Sequence, residues 1–182
     1  LDGLSLALSY RQGSENKCWL HRAVTRGDGS VGEEVTENVR TIRSVPPSIS
    51  LAALKKTGIP PDFEVRGEVI MPRKAFERLN EERERRILAK FANPRNAAAG
   101  AVRMLDPKIT AQRRLDYYAY SLLVEGRTYC DRHWDALNAL QEAGFKVNPR
   151  RCVAKDLDEV LEFIHAWEEK RESLDYEIDG IV

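Results

Sequence analysis

The sequence predicts an α+β fold built on an antiparallel sheet, and three observations lead to this prediction. Segments of alternating apolar and polar residues, typical of half-buried strands, recur in the first 70 residues. Helical patterns dominate after them, and strand patterns return at 115–124 and near the carboxyl end. A doubly wound dinucleotide fold is disfavoured, because no G-x-G-x-x-G sequence follows a predicted strand.

The amino-terminal part of the chain is predicted to begin with a β-hairpin. Apolar residues recur at every second position from Leu4 to Tyr10, and residues 12–16 form a polar turn before a second strand at Cys18–Thr25. A further turn, Arg26-Gly27-Asp28-Gly29, follows that strand. The next predicted elements are a short helix at Glu33–Arg40, a helical turn at Leu51–Lys56 and a strand at Asp62–Ile70.

The rest of the chain is predicted to be mainly helical. A helix at Arg73–Leu88 carries one apolar stripe that includes Phe76, Leu79 and Ile87. The turn at Asn93-Pro94 leads into an alanine-rich short helix. The remaining predicted elements are a strand at Leu115–Val124, a helix at His133–Ala143 capped at or near Asp131, a short strand at Phe145–Val147, a helix from Asp156 to about Arg171 with a capping box at Asp156 and Glu159, and a closing strand at Glu177–Val182.

Composition bounds the class of protein. A chain of 182 residues with 42% hydrophobic residues can bury a core, and we expect one domain spanning 1–182. No apolar run approaches the roughly 18 residues of a membrane span, so we expect a cytoplasmic protein without a membrane partner. We also expect the protein to be a monomer. Three widely spaced cysteines predict buried free thiols rather than disulfides or a zinc site.

Charge is distributed unevenly along the chain although the net charge is zero. Residues 83–114, here called the basic stretch, hold nine basic residues against Glu84 and Asp106. Residues 156–179 hold ten acidic residues against Lys170 and Arg171. The basic stretch is a candidate phosphate-binding surface on a different face from the acidic segment; two ordinary solvated helix faces are the alternative.

The predicted strand at Asp62–Ile70 has one charged face. Glu64, Arg66 and Glu68 alternate with apolar residues, so their side chains share a face. The face is either a solvent-exposed surface with ion pairs or one wall of a cleft. Gly67 favours the cleft slightly, because a glycine within a strand often marks the close approach of a ligand or of backbone.

Several common catalytic patterns are missing from the sequence. The three histidines lie far apart, without an H-E-x-x-H motif or a nucleophile elbow. The phosphate-binding loop G-x-x-x-x-G-K-[ST] is also absent. Two Asp-Gly pairs, at Asp2 and at Asp179, each flank apolar residues and are most simply explained as turns.

Five segments taken in order nevertheless resemble the adenylation domain of NAD-dependent DNA ligases, and the resemblance covers the whole chain. It implies a nucleotidyltransferase fold, similar to the ATP-grasp-like core of DNA ligases and mRNA capping enzymes, with helices flanking an antiparallel sheet. The segment from Asn93 to Gly100 is the most specific to the NAD-dependent branch. The five segments are Leu1-Asp2-Gly3-Leu4, Thr25-Arg26-Gly27-Asp28-Gly29, Glu64-Val65-Arg66-Gly67-Glu68-Val69, Asn93-Pro94-Arg95-Asn96-Ala97-Ala98-Ala99-Gly100 and Glu177-Ile178-Asp179-Gly180-Ile181-Val182.

The resemblance implies a covalent mechanism whose nucleophile lies outside the sequence. In the family a Lys-x-Asp-Gly lysine attacks the α-phosphate of NAD and becomes adenylated. Leu1 occupies the x position, so the lysine is expected immediately upstream of residue 1. The lysine of the fourth motif is expected shortly after Val182, which would make the core truncated at both ends.

The resemblance also implies roles for individual residues, with Mg²⁺, or alternatively Mn²⁺, assisting the chemistry and nicked double-stranded DNA as the partner. It assigns no metal ligand within this chain and implies zinc only in parts of the family's full-length proteins that lie outside this chain. The implied catalytic residues are Asp2, Asp179 and Arg95; the implied NAD-binding residues are Gly3, Arg26 and Glu68; and the implied DNA-binding residues are Arg95 and Arg103.

Two alternative functions stay open on the sequence alone. One is an ATP-dependent ligase or RNA capping nucleotidyltransferase, and the other is a nucleotide- or DNA-binding module without catalytic activity. Two structural hypotheses follow from the resemblance to NAD-dependent DNA ligases. Glu68 and Asp179 should line one cleft, and Arg95 and Arg103 should lie near one face of a helix, unless Arg103 pairs with Asp106 instead.

Overall fold

A six-stranded antiparallel sheet forms the centre of the computed structural model, which describes residues 1–27 and 31–182. The spatial order of the strands is β3-β2-β1-β4-β5-β6, so the amino-terminal hairpin lies beside the strand with the charged face. The strands are β1 (Leu4–Gln12), β2 (Lys17–Thr25), β3 (Ser48–Ser50), β4 (Phe63–Ile70), β5 (Asp116–Val124) and β6 (Arg127–Thr128).

Helices connect and cover these strands. Several begin where the sequence supplies a capping side chain: Ser50, Asn93, Asp106 and Asp156 each accept a hydrogen bond from a first-turn amide. The helices are α1 (Thr36–Val39), α2 (Leu51–Thr57), α3 (Arg73–Arg85), α4 (Pro94–Val102), α5 (Pro107–Gln112), α6 (His133–Glu142) and α7 (Leu157–Lys170), followed by a 3₁₀ turn at Arg171–Ser173.

The core lies on the apolar face of the sheet. Leu6, Leu8 and Tyr10 of β1 are buried, as the alternation of the sequence predicts. The ring of Tyr10 stacks on Phe63 at 5.1 Å between centroids and meets Phe145 edge-on at 5.4 Å. These aromatic contacts tie β1, β4 and the segment after α6 into one apolar cluster.

The structure confirms the main elements predicted from periodicity, with shifted ends. The predicted hairpin, the strands at 62–70 and 115–124, and the helices at 73–88 and 133–143 all form. The capping interaction of Asp156 with the Glu159 amide, at 3.0 Å, also forms. The part of the predicted turn at Asp28 and Gly29 lies outside the described residues.

Three predicted elements were wrong or too long. Glu177–Val182 is not a strand; its Glu177 carbonyl accepts one bond from the Asp2 amide, and one bond does not make a ladder. Phe145–Val147 forms an isolated bridge between Val147 and Ala119 rather than a strand. The helix predicted at 33–40 is limited to Thr36–Val39, because residues 33–35 bond to the edge of β2.

Other details also differ from the prediction. The helix at 73–88 ends at Arg85, and Ile87 is 95% exposed with a left-handed φ of 56° instead of lying on the apolar stripe. Asp131 does not cap α6, whose first residue follows Arg132 without a side-chain bond. Cys18 is buried as expected, but Cys152 is exposed.

Three short elements, β3, β6 and α5, were not predicted. The strands β3 and β6 contain three and two residues, which is too few to show an alternating pattern, and the helix α5 has six residues, about one and a half turns. Of the helices in the described part of the chain, none is long and apolar enough to cross a membrane.

Candidate functional site

Three carboxylates from distant parts of the chain meet at one end of the sheet. Asp2 precedes β1, Glu68 is near the end of β4, and Asp179 follows the last helical turn. The antiparallel register pairs Ser5 with Glu68 and thereby sets residues 2–3 beside the end of β4. We call Asp2, Glu68, Asp179 and the neighbouring Arg95 the carboxylate cluster.

Within this cluster Glu68 is a half-buried carboxyl group with a raised pKa. The pKa of Glu68 is raised from its ordinary value of 4.5 to about 7, chiefly by burial, and the nearby charge of Asp179 contributes in the same direction. The guanidinium of Arg95 and the Gly3 amide act against burial and lower this pKa. Near neutral pH the Glu68 side chain can therefore either accept or donate a hydrogen bond.

The glycine of the Asp2-Gly3 pair has a packing explanation, and the predicted turn does not form there. A Cβ at Gly3 would lie 2.1 Å from the carbonyl oxygen of Val69, closer than any side chain tolerates. The glycine thus lets the chain before β1 approach the backbone of β4. This approach brings the Gly3 amide to Glu68 and places Asp2 at the same end of the sheet.

Arg95 is positioned by the start of α4. Asn93 caps the helix by accepting a bond from the Asn96 amide at 2.8 Å, and Pro94 occupies its first turn. From this turn the Arg95 Nη1 donates to Asp2 Oδ1 at 3.2 Å. The arginine is 59% exposed, so its guanidinium retains donors that face solvent.

A small apolar cluster holds the carboxyl-terminal segment that carries Asp179. Ile70, Tyr118, Leu174 and Tyr176 are buried together, with Leu1 packed against them. The segment is also bonded to the sheet end through the Asp2 amide and the Glu177 carbonyl, 2.9 Å apart. Asp179 Oδ1 consequently lies 3.8 Å from the Leu1 nitrogen. Sequence reasoning missed this cluster, because two lone tyrosines 58 positions apart carry no local signal.

Arg26, at the end of β2, is separated from Glu68 on β4 by the strand β1. Its backbone amide donates to the Ser5 carbonyl at 3.1 Å, and Ser5 is the register partner of Glu68 on the other side. The Ser5 hydroxyl is 2.7 Å from the hydroxyl of Tyr120, a half-exposed ring that sequence reasoning did not select. Arg26, Ser5 and Glu68 therefore occupy one row that runs from the end of β2 across β1 to β4.

Arg103 does not bond to the carboxylate cluster; its ion-pair partner is Glu33, which lies outside that cluster. It caps the carboxyl end of α4, and its Nε forms an ion pair with Glu33. The suggested pairing with Asp106 was wrong, because the Asp106 carboxylate accepts a bond from the Lys108 amide at the start of α5. The structure thus gives Arg95 and Arg103 separate carboxylate partners.

The charged face of β4 has two parts: one is a surface ion pair and the other belongs to the carboxylate cluster. Glu64 and Arg66 form an ion pair at 2.8 Å at the surface, where Arg66 is exposed and Glu64 is half-buried, whereas the half-buried Glu68 belongs to the carboxylate cluster. Gly67 marks a close approach, but by protein rather than by a ligand. A Cβ there would lie 2.3 Å from the ring of Tyr117 and 2.4 Å from the Tyr118 carbonyl.

Metal ligands are not preassembled in the described part of the chain, where no three His, Cys, Asp or Glu side chains are grouped to hold an ion. The donor set is still compatible with Mg²⁺. That ion keeps several waters and usually takes one or two carboxylates together with the phosphates of its substrate.

Comparison with known proteins identifies the family. The sequence model of the NAD-dependent DNA ligase adenylation domain matches residues 1–182. The chain is 62% identical over 182 residues to a DNA ligase of Koribacter versatilis (strain Ellin345) and 54% identical over 182 residues to one of Solibacter usitatus (strain Ellin6076). A DNA ligase of Acidobacterium capsulatum is 56% identical over 183 residues.

Each of these matches covers 100% of the chain but 26% of the relative, so the chain spans about a quarter of the length of the curated relatives it matches. The match extends through every segment of the carboxylate cluster. This chain belongs to the NAD-dependent DNA ligase adenylation domain family.

Proposed function

We propose that this chain is the nucleotidyltransferase core of an NAD-dependent DNA ligase and that the carboxylate cluster binds the adenylate half of NAD. The observation that carries this proposal is the convergence of Asp2, Glu68, Asp179 and Arg95 at one end of the sheet. The cluster joins four of the five segments in which the chain resembles the family.

Glu68 is suited to hold the ribose of the nucleotide. A half-buried carboxyl group with a pKa of about 7 can accept a hydrogen bond from a hydroxyl when charged and can donate one when neutral. Burial strengthens either bond, because water competes less for the same atoms. Arg26 lies in the same row across the sheet and would extend this contact towards the nucleotide.

Arg95 is suited to hold the α-phosphate. Its guanidinium is kept in place by Asp2 at 3.2 Å, and its exposed donors could bind two phosphate oxygens in a bidentate manner. Such donors stabilise the charge that moves between phosphate oxygens during transfer. Asp2 thereby acts as a positioning residue for Arg95.

Asp179 is suited to act next to the nucleophile. Its carboxylate lies 3.8 Å from the Leu1 nitrogen, which is the atom that a preceding residue would be bonded to. The family motif places the nucleophilic lysine at that preceding position. A carboxylate there would orient the lysine amine, which attacks only in its deprotonated form.

Mg²⁺ would be held by phosphate oxygens of NAD together with Asp2 or Asp179, and it would supply charge neutralisation of the phosphates. The residues of the chain then bind and orient the nucleotide, exclude water from the α-phosphate and position the amine. Adenylate would afterwards pass to the 5′-phosphate of a nick, and the 3′-hydroxyl would displace AMP. Because the substrate would be chromosomal DNA, we place the protein in the bacterial cytoplasm and expect it to act as a monomer.

The proposal is tested with the full-length protein and NAD labelled in its adenylate phosphate. We expect label on the protein with NAD and none with equally labelled ATP. Glu68→Ala should reduce labelling at least a hundredfold, and the matched Glu64→Ala, on the same strand face but paired with Arg66, should retain most of it. Labelling by ATP would favour the ATP-dependent ligases or capping enzymes instead.

Two further results bear on the alternatives. A full-length protein that binds NAD without any covalent label would support the non-catalytic binding module. The isolated chain of 182 residues should form no adduct with NAD and Mg²⁺, because the expected lysine is outside it. A mass increase of one AMP on the isolated chain would contradict the proposed nucleophile.

A further inference from the structure

Buried polar side chains are concentrated between β2, α1 and the connection from α4 to α5. Tyrosines aside, the polar side chains buried in the described part of the chain are Thr25, Thr36, Asn38 and Thr110. Each of the four either lies in the segment 33–38 or is hydrogen-bonded to it. Burying a polar group costs free energy unless it is paired, and a fully paired group fixes the position of what it bonds to.

Asn38 joins α1 to the connection between α4 and α5. Its Nδ2 donates to the Met104 carbonyl at 2.7 Å and to the Thr110 hydroxyl at 2.8 Å, which uses both hydrogens of the amide. The Thr110 hydroxyl in turn donates to the Ala101 carbonyl at 2.8 Å. We call these three bonds the buried polar bridge. The bridge anchors the backbone on both sides of Arg103, at positions 101 and 104.

Apolar packing alone would hold the connection between α4 and α5 weakly. Arg103, Leu105 and Asp106 are exposed, and Met104 is half-buried. The Arg103 side chain extends from this connection and forms its ion pair with Glu33. A long arginine side chain loses much rotamer freedom when it is held in one place, so both its backbone and its partner must be fixed. The buried polar bridge meets the first of these conditions.

The end of β2 meets the second condition by fixing Glu33. The Thr25 amide donates to the Glu33 carbonyl at 3.0 Å, and the Glu33 amide donates to the Thr25 hydroxyl at 3.0 Å. These two bonds also close the base of the loop that begins with Arg26. The backbone of both partners in the ion pair is therefore held by buried hydroxyl or amide groups.

Thr36 attaches the start of α1 to β2. Its hydroxyl accepts a bond from the Ala23 amide at 3.0 Å and donates to the Glu34 carboxylate at 3.2 Å. The segment 33–38 is thus bonded to β2 at one end and, through Asn38, to the connection between α4 and α5 at the other. Hydrogen bonds add little net stability relative to apolar packing of the same volume, but they are directional. The arrangement therefore specifies a position rather than stability alone.

We propose that Asn38 and Thr110 are positioning residues for Arg103, and that the buried polar bridge holds the end of α4 where the Arg103 guanidinium serves the sealing of nicked DNA. The inference rests on the proposed function and on the role that the family resemblance implies for Arg103. Asn38 and Thr110 are both buried, so they act through Arg103 and not on a substrate. A displacement of about 1 Å caused by a change away from the reacting atoms can slow a reaction as much as about a hundredfold.

The test removes the Thr110 hydroxyl in the full-length protein. Thr110→Val leaves one Asn38 donor and the Ala101 carbonyl without their partner, and single-turnover sealing of a nicked duplex by the adenylated protein should slow about tenfold or more. Adenylation by NAD should change less than about twofold. Thr110→Ser keeps the hydroxyl and should seal at close to the wild-type rate. The control is Thr57→Val, which removes a hydroxyl bonded within α2 and should leave both rates unchanged.

A double variant separates positioning from a general loss of structure. In the Arg103→Ala protein, Thr110→Val should slow sealing by less than about a further twofold, because the group that Thr110 positions is already absent. If Thr110→Val slows sealing by the same factor with and without Arg103, the inference is overturned. Thr110→Ala removes the hydroxyl without a methyl group in its place and carries the same expectation, so the test stands even where Thr110→Val does not fold.

Failure of the inference can be told apart from failure of the proposed function. A Thr110→Val protein that seals nicks at the wild-type rate, or that loses adenylation and sealing equally, overturns the inference and leaves the proposed function standing. An Arg103→Ala protein that seals at the wild-type rate does the same, because there would be no group to position. A wild-type protein that NAD does not adenylate would refute the proposed function itself.

Discussion

The raised pKa of Glu68 predicts an unusual dependence of stability on pH. Glu68→Gln replaces the carboxyl group with a neutral group of the same shape and removes the cost of burying a charge. The ordinary pKa of 4.5 applies to the unfolded chain, and burial raises it to about 7 in the folded chain. The folded state therefore holds an additional proton between these values, so wild-type stability falls as pH rises from 4.5 through 7.

The size of the effect follows from the same pKa values. A displacement from 4.5 to about 7 corresponds to about 3 kcal/mol at most. Water reaches the half-buried carboxylate, so we expect a smaller loss of about 1–2 kcal/mol. Below pH 4.5 the wild-type side chain is neutral, and the stability of the two proteins should differ little.

The assay is urea unfolding of the 182-residue chain at intervals between pH 4.5 and 7.5, followed by circular dichroism. The Glu68→Gln protein should gain stability over wild type steadily across this range. Glu64→Gln is the control, because that carboxylate is on the same face but is paired with Arg66. A Glu68→Gln protein whose stability relative to wild type is the same at pH 5 and pH 7.5 would refute the argument from burial.

Three other substitutions test separate parts of the structure. Arg103→Ala should slow nick sealing by the full-length protein more than its adenylation; a wild-type sealing rate at physiological salt would mean that the pair with Glu33 is purely structural, worth at most about 1 kcal/mol. Ile87→Gly should raise the free energy of unfolding by about 1 kcal/mol, because the side chain is 95% exposed and its φ of 56° suits glycine; a lower melting temperature would contradict this. Gly67→Ala should cost about 1–3 kcal/mol in urea unfolding, since its Cβ would lie 2.3 Å from the ring of Tyr117 and 2.4 Å from the Tyr118 carbonyl oxygen, and a neutral effect would contradict this close packing.

Much of the fold could be predicted because its signals are local. The alternation from Leu4 to Tyr10 and along β4 reports directly which side chains face the core, since strand side chains alternate between faces. The start of α4 at Asn93-Pro94 could likewise be predicted, because the cap and the proline act within one turn. The strand predicted at Glu177–Val182 does not form, because a strand needs a partner strand along its length and the local sequence does not specify one.

The sequence by itself determined the strands, the main helices and the segments in which the candidate site residues lie. Only the tertiary structure decided which of those residues meet. Asp2 and Arg95 are 93 positions apart yet form a bond of 3.2 Å, and Arg103 forms its ion pair with Glu33 rather than with Asp106. Periodicity and capping depend on a few adjacent residues, whereas burial and ion pairing depend on which distant segments pack together. The pKa of Glu68 is therefore raised only in the folded chain, where packing buries its carboxyl group.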